Sequence, residues 1–291
     1  KNISAERIRV ELTKLLVSRE AGRIRDAYKT GMTKYFLPEL DAAMQTEQKN
    51  PHHIYTVGEH SICGIELMNC FFGITSDKKI YDKIPENVLE TAKKLAAKMD
   101  KKQQTVLCMT MLLHDIAKPA VMTVDEKGIG HFIGHPAQSE KMAKKIMRRL
   151  TFDNDSISKA CRLIRFHDYR MEDKSRAFRR AVSKIGADIM DMLFLVEYAD
   201  VLSQSDKMLE EKLSKINSGV ERFEYITQNA QPLSIKELAL TGADLIAAGV
   251  KPGPNMGEIL KKMLDKVLDE PEANTKENLL EYLKTMDDFS L

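Results

Sequence analysis

His114 and Asp115 are adjacent in Met111-Leu-Leu-His-Asp-Ile-Ala117, a run that is otherwise apolar. Imidazole and carboxylate together suit borderline and hard divalent ions. Consecutive residues of a helix point about 100° apart, so the pair can bracket an ion at a helix edge. Burying both groups is costly unless something satisfies them, and a metal would do so. A His hydrogen-bonded to a carboxylate in a core would also do so, and the dipeptide alone leaves both readings open. Of the seven histidines, His60, His135 and His167 lie at predicted helix ends, whereas His52, His53 and His131 read as loop or surface residues. Cys63, Cys70, Cys108 and Cys161 stand singly in apolar helical stretches. Without a Cys-x-x-Cys pair a zinc-thiolate knuckle is not expected, and buried free thiols in a reducing cytoplasm are.

The elements that must position these groups are helical. Ile8, Leu12, Leu15 and Leu16 recur at helical spacing behind Ser4, a suitable N-cap. Helices are predicted over 59–72, 86–99 and 105–118, the last apolar on nearly every side and ended by Pro119. Val121–Val124 and Ile129–Phe132 flank the turn Asp125-Glu-Lys-Gly128 and predict one small β-hairpin. Pro136 suits the first turn of the next helix. Further helices are predicted near 155–167, 174–187 and 188–228, with Asp200 late in the last. Pro232 marks a boundary, and Ser234 with Glu237 forms a capping box at the start of a tail of short helices. The expected fold is all-α with one hairpin, in segments 1–50, 51–230 and 231–291.

The chain has 291 residues and a net charge of +2. No apolar run approaches the ~18 residues of a membrane span, so a soluble, cytoplasmic protein is expected. It opens with Lys1 rather than Met and is expected to begin inside a longer protein. Charge is uneven: residues 1–34 hold nine Lys or Arg against four acids, and residues 141–184 hold fourteen against five. Such stretches suit a polyanionic partner, or are solvated helix faces.

In the order His60, His114-Asp115, Asp200, the chain resembles the HD superfamily of metal-dependent phosphohydrolases, and Lys118 matches the Lys that often follows its doublet. His135 and His167 resemble the longer, two-metal form of the pattern. The resemblance implies one or two divalent ions (Mn, Co, Ni, Fe, Zn or Mg) held by His60, His114, Asp115, His135, His167 and Asp200, with Asp115 a candidate bridge. In a one-metal site, His135 and His167 would instead bind phosphate or support the ligands. A bound ion lowers the pKa of its water toward about 7 and polarises a phosphoryl oxygen. His114, Asp115 and Lys118 are then the expected catalytic groups, with Arg170 and Arg179 as further cations, and the substrate is a phosphomonoester or phosphodiester.

The flanks carry a second resemblance. Ile3-Ser-Ala-Glu-Arg-Ile-Arg-Val-Glu-Leu12, Gly31-Met-Thr-Lys-Tyr-Phe-Leu-Pro-Glu-Leu40 and Leu240-Thr-Gly-Ala-Asp-Leu245 with Ala248–Gly257 look like the neck, body and tail of bacterial class II CCA-adding tRNA nucleotidyltransferases, of the poly(A) polymerase family. That family's body and tail hold tRNA. The resemblance implies tRNA or other RNA as partner, with Arg7, Arg9, Arg148, Arg149 and Arg165 against phosphates. Pro252-Gly-Pro254 before the helix at 255–268 would present N–H groups to a phosphate, or is a rigid turn. The polymerase head that should precede the neck has no counterpart in these residues, and Asp153-Asn-Asp155 lacks its strand and Gly-Ser loop. Nucleotide addition is therefore not expected of this chain alone. Two readings follow: an HD phosphohydrolase that acts on small phosphoesters or RNA ends, 2′,3′-cyclic ones included, and a non-catalytic tRNA scaffold. The sequence leaves the oligomeric state open.

Overall fold

A computed structural model describes residues 3–50, 54–75, 78–172 and 174–286. His52 and His53 lie outside them. The described residues form helices α1 (Ala5–Leu16), α2 (Ile24–Lys29), α3 (Pro38–Gln45), α4 (Val57–Phe71), α5 (Lys78–Tyr81), α6 (Glu86–Ala96), α7 (Lys101–Leu113), α8 (Lys118–Val121), α9 (His135–Arg149), α10 (Asn154–Phe166), α11 (Ser175–Ile185), α12 (Met190–Leu202), α13 (Leu209–Gln228), α14 (Gly242–Ala247), α15 (Asn255–Asp269) and α16 (Lys276–Lys284). Strands β1 (Thr123–Val124) and β2 (Gly130–His131) pair antiparallel, Thr123 opposite His131. The fold is thus all-α with one small hairpin. No described helix is long and apolar enough to cross a membrane.

The chain packs as two units, residues 1–169 with 191–217 and residues 170–190 with 218–291. Packing therefore groups residues 3–50 with 54–169 and 191–217, and residues 170–190 with the tail.

In the first unit α7 is the core. Every residue from Val106 to Leu113 is buried, as its continuous apolar sequence requires, and α4, α10 and α1 pack around it. It starts earlier than expected because Asp100 and Gln103 form a reciprocal capping box. It ends at Leu113, five residues earlier than expected. Pro119 lacks an N–H and its ring conflicts with the carbonyl four residues back, at Asp115, so the helical ladder stops a turn before it. Residues 114–117 form that turn, and α8 restarts at Lys118. The hairpin is shorter than expected because α8 takes Val121.

The single helix expected over 188–228 is two. Between α12 and α13, Ser203 Oγ donates back to the Asp200 carbonyl at 2.8 Å, and Met208 takes a left-handed backbone angle, φ 60°. The four cysteines are free: Cys70, Cys108 and Cys161 are buried, and Cys63 is half-buried.

In the second unit α11 packs on α15. Arg179 donates from Nε to the Leu268 carbonyl at 2.7 Å and from Nη2 to that of Asp269 at 3.1 Å. Arg176 and Arg180 pair with the Asp269 carboxylate. Cations at a helix C-terminus complement its dipole and its orphan carbonyls. The expected Ser234–Glu237 box is replaced by a different arrangement: Glu237 Oε2 accepts from Leu233 N and from the Ser234 hydroxyl.

Candidate metal centre

His60 sits in the first turn of α4, which Thr56 caps by accepting from Glu59 N. His114 and Asp115 occupy the turn after α7, His135 opens α9, His167 follows α10, and Asp200 lies near the end of α12. These six residues, 140 positions apart at the extremes, meet at one point. His60 and His114 are completely buried and Asp115 is 1% exposed.

Each imidazole is aimed by its Nδ1. His114, His135 and His167 place Nδ1 at 2.8, 2.9 and 2.8 Å from the carbonyls of Met111, Phe132 and Ile164, each three residues back. His60 Nδ1 faces the Ser203 carbonyl at 3.2 Å and the Ser203 hydroxyl at 3.0 Å. A carbonyl only accepts, so Nδ1 carries a proton in each ring and Nε2 is the nitrogen that faces inward.

The inward nitrogens surround carboxylate oxygens. Asp115 Oδ2 lies 3.5 Å from His60 Nε2 and 3.3 Å from His114 Nε2. Asp115 Oδ1 lies 3.2 Å from His135 Nε2 and 3.7 Å from His167 Nε2. Asp200 Oδ1 lies 2.8 Å from His60 Nε2 and 3.4 Å from His114 Nε2. Two groups of donors result, His60–His114–Asp115 and Asp115–His135–His167, each with its ligand atoms within 4.8 Å of one another.

The donor set fits a divalent cation on two counts. His60 and His114 face each other Nε2 to Nε2 at 3.2 Å, and His135 and His167 do so at 3.3 Å. Opposed lone pairs need a proton or a cation between them. Both Asp115 oxygens are buried and accept no hydrogen bond of good geometry, although Lys118 Nζ lies 2.6 Å from Oδ2.

Burial opposes ionisation of Asp115, but His114 and Lys118 outweigh it and hold the carboxyl well below the usual range. At Asp200 burial is likewise outweighed, by hydrogen bonds from His114 and His60. Burial also opposes a proton on His114, yet Asp115 and Asp200 push it up to about 10. His167 is pushed down to about 4, by burial and then by its neighbour His114.

A cleft of about 360 Å³ opens over Asp115, His135, His167 and Asp200, with Lys118, Phe132, Ile133, Asp168 and Gln204 around it. Lys118 is 5% exposed; its Nζ donates to Gln48 Oε1 at 2.9 Å and lies 5.2 Å from the centre of the Phe132 ring.

Of the first unit's arginines expected to contact phosphate, Arg7, Arg9, Arg148, Arg149 and Arg165, none lines the cleft. Arg7 and Arg148 are exposed. Arg9 lies over the Phe152 ring, and Arg165 reaches Glu140 only at 4.0 Å. Arg149 is committed to a two-pronged pair with Glu39 at 2.8 and 2.7 Å. In the second unit Arg170 is exposed, whereas Arg179, 8% exposed, is a structural cap on α15 rather than a surface cation. Asp153 caps α10 and, with Asp155, binds Lys102, so Asp153-Asn-Asp155 is helix-terminus chemistry. His131 is a surface residue, paired with Asp125 at 2.9 Å.

Four residues of the site carry no sequence signal that singles them out: Gln48, Ser203, Gln204 and Lys212. Gln204 Nε2 donates to Asp200 Oδ2 at 2.9 Å, and its Oε1 accepts from Lys212 Nζ at 2.7 Å. Burial pushes the Lys212 ammonium down, against Asp200 and Asp168. Burial, then Asp200 and Asp168, push the Glu197 carboxyl well up.

Comparison with known proteins identifies the scaffold. A family model described as "Probable RNA and SrmB- binding site of polymerase A" matches residues 1–44. A CC-adding tRNA nucleotidyltransferase of Thermus thermophilus is 26% identical over 281 residues, 96% of this chain and 56% of the relative. CCA-adding enzymes of Lacticaseibacillus paracasei and Limosilactobacillus fermentum are 53% identical over 47 residues and 51% over 53, covering 16% and 17% of this chain and 12% and 13% of their own lengths. The chain thus spans about half of the Thermus relative and a small part of the other two. The model described as "tRNA nucleotidyltransferase domain 2 putative" matches residues 123–283, more than half of the chain, which therefore belongs to the tRNA nucleotidyltransferase family.

Proposed function

We propose that this chain is the RNA-holding part of a tRNA nucleotidyltransferase-type protein and docks tRNA through its basic helices. The observation that carries this is the pair of family matches, an RNA-binding description over residues 1–44 and the tRNA nucleotidyltransferase second domain over 123–283. The exposed cations of α9, Lys141, Lys144, Lys145 and Arg148, have no acidic partner among the described ion pairs and suit a phosphate backbone. Titration of labelled tRNA at several salt concentrations tests this. Log affinity should fall linearly with log salt, with a slope of about −0.7 to −0.9 per phosphate neutralised. Absence of binding at low salt would end the reading.

The histidine–carboxylate cluster favours a second activity on the same scaffold: an HD-type, metal-dependent phosphohydrolase. What supports it is the four imidazoles, each turning Nε2 toward Asp115 or Asp200. His60, His114, Asp115 and Asp200 would hold one divalent ion, and Asp115, His135 and His167 a second. When bound, such ions supply an activated water and polarise a phosphoryl oxygen. Asp115 aligns both ligand groups through its two oxygens, Lys118 offers a cation at the cleft wall for phosphate charge, and the buried walls limit bulk water. Hydrolysis of a generic phosphodiester, a 2′,3′-cyclic nucleotide and a phosphomonoester with Mn²⁺, Co²⁺, Ni²⁺ or Mg²⁺ is the test. Asp115→Ala is expected to lower turnover more than about 100-fold, beyond the range for groups that only orient ligands. No turnover by a folded wild-type protein with any ion would leave the scaffold reading alone.

A further inference from the structure

We propose that Gln48 is a positioning residue of the metal centre, which holds the Lys118 ammonium beside Asp115 from a segment 70 positions away. It has this role on the reading of the cluster as a metal centre given above. A buried ammonium needs partners, and Lys118 has two: the Asp115 carboxylate, an ion pair with Oδ2 at 2.6 Å, and Gln48 Oε1, which accepts its hydrogen bond at 2.9 Å. The ammonium already touches Oδ2, the oxygen that faces His60 and His114, and with Asp115 alone it would have no other partner to turn to. It would then compete with a cation for that oxygen. The amide shares the ammonium, so that Lys118 keeps a partner when the carboxylate takes a metal.

Gln48 is built to stay in place. It is 2% exposed, and its Nε2 donates to the Tyr55 carbonyl at 3.4 Å, which turns Oε1 toward Lys118. Its segment is tied on both sides. Glu47 bridges antiparallel to Thr56, and Val57 N donates to the Thr46 carbonyl at 2.9 Å, next to the helix that carries His60. Gly130 N donates to the Lys49 carbonyl at 2.9 Å, joining the segment to β2. A Cβ at Gly130 would lie 2.4 Å from the Gln48 carbonyl oxygen, so this approach requires glycine. Four contacts from two pieces of chain, residues 55–57 and β2, thus fix one amide against one ammonium.

The test uses the whole chain with three substitutions. Gln48→Met keeps length and removes the acceptor; Gln48→Asn keeps an amide too short to reach; Gln48→Glu keeps an acceptor at full length. Mn²⁺ affinity is measured by calorimetry, and the acylation rate of Lys118 in metal-free protein by mass spectrometry. Q48M and Q48N are expected to bind Mn²⁺ about 10-fold more weakly and to acylate at Lys118 faster, whereas Q48E, which keeps an acceptor for the ammonium, acylates there no faster than wild type. Q48N decides the matter should Q48M not fold. Unchanged Lys118 acylation in a folded Q48M or Q48N overturns the role, whatever the Mn²⁺ affinity does. Wild-type protein that takes up no Mn²⁺, while Q48M still acylates faster at Lys118, defeats the metal-centre reading and leaves the positioning standing.

Discussion

At Ser203 two groups of one residue, the hydroxyl and the main-chain carbonyl, lie against His60 Nδ1. Loss of one should leave the other, so Ser203→Ala is expected to weaken Mn²⁺ binding by less than about 10-fold, the lower edge for groups that orient a ligand. Calorimetry checks this, and a larger loss would mean that the hydroxyl alone aims the ring. Gln204 differs, because its single amide both donates to Asp200 and accepts from Lys212. His114 and Asp115 stood out in the sequence as polar groups in an apolar helical run, whereas His60, His135, His167 and Asp200 joined them only through the resemblance of their order to the HD pattern. Gln48, Ser203, Gln204 and Lys212 carried neither signal. Gln48 meets Lys118 only through tertiary structure, and a glutamine in a polar loop looks like any other until its partner is known.

Among the elements, α3 and α4 cross closely because Gly58 has no side chain. A Cβ there would lie 2.8 Å from the Met44 backbone nitrogen and 2.5 Å from its Sδ. Gly58→Ala gains some helix propensity but overpacks the crossing, for a net loss of about 1–2 kcal/mol in urea unfolding. Gly58 precedes His60 by two residues, so Mn²⁺ affinity should fall as well; a stability equal to wild type would show that the helices can separate freely. The joint between α2 and α4 is electrostatic instead: Arg25 of α2 donates to Glu59 at 2.8 Å and to Glu66 at 2.8 and 3.1 Å, both on α4. Helix existence was read from periodicity, and for α7 its complete burial too. Helix ends were read less well. Asp100 starts α7 through a reciprocal cap, and the break between α12 and α13 turns on backbone bonding by Ser203 that hydrophobic spacing does not register.

For the whole molecule, a net charge of +2 conceals strongly basic stretches, and only some of those cations are free to act. Arg149, Arg176, Arg179 and Arg180 are committed to carboxylates or carbonyls, whereas Lys144 and Arg148 are exposed on α9. Lys144→Glu with Arg148→Glu is expected to weaken tRNA binding and to reduce the salt slope by about one for each phosphate that is no longer neutralised. Arg176→Glu should leave that slope unchanged, and equal effects of the two changes would point to net charge alone. The aiming of the histidines also bears on how the site would come apart. His114, His135 and His167 each take direction from a carbonyl three residues back, so a single turn of chain carries the orientation of its own ring. His60 takes its direction from residue 203, across 143 positions. As the fold loosens, three imidazoles keep their heading for as long as their local turns persist, and the fourth loses its bearing as soon as the chain between α12 and α13 lets go.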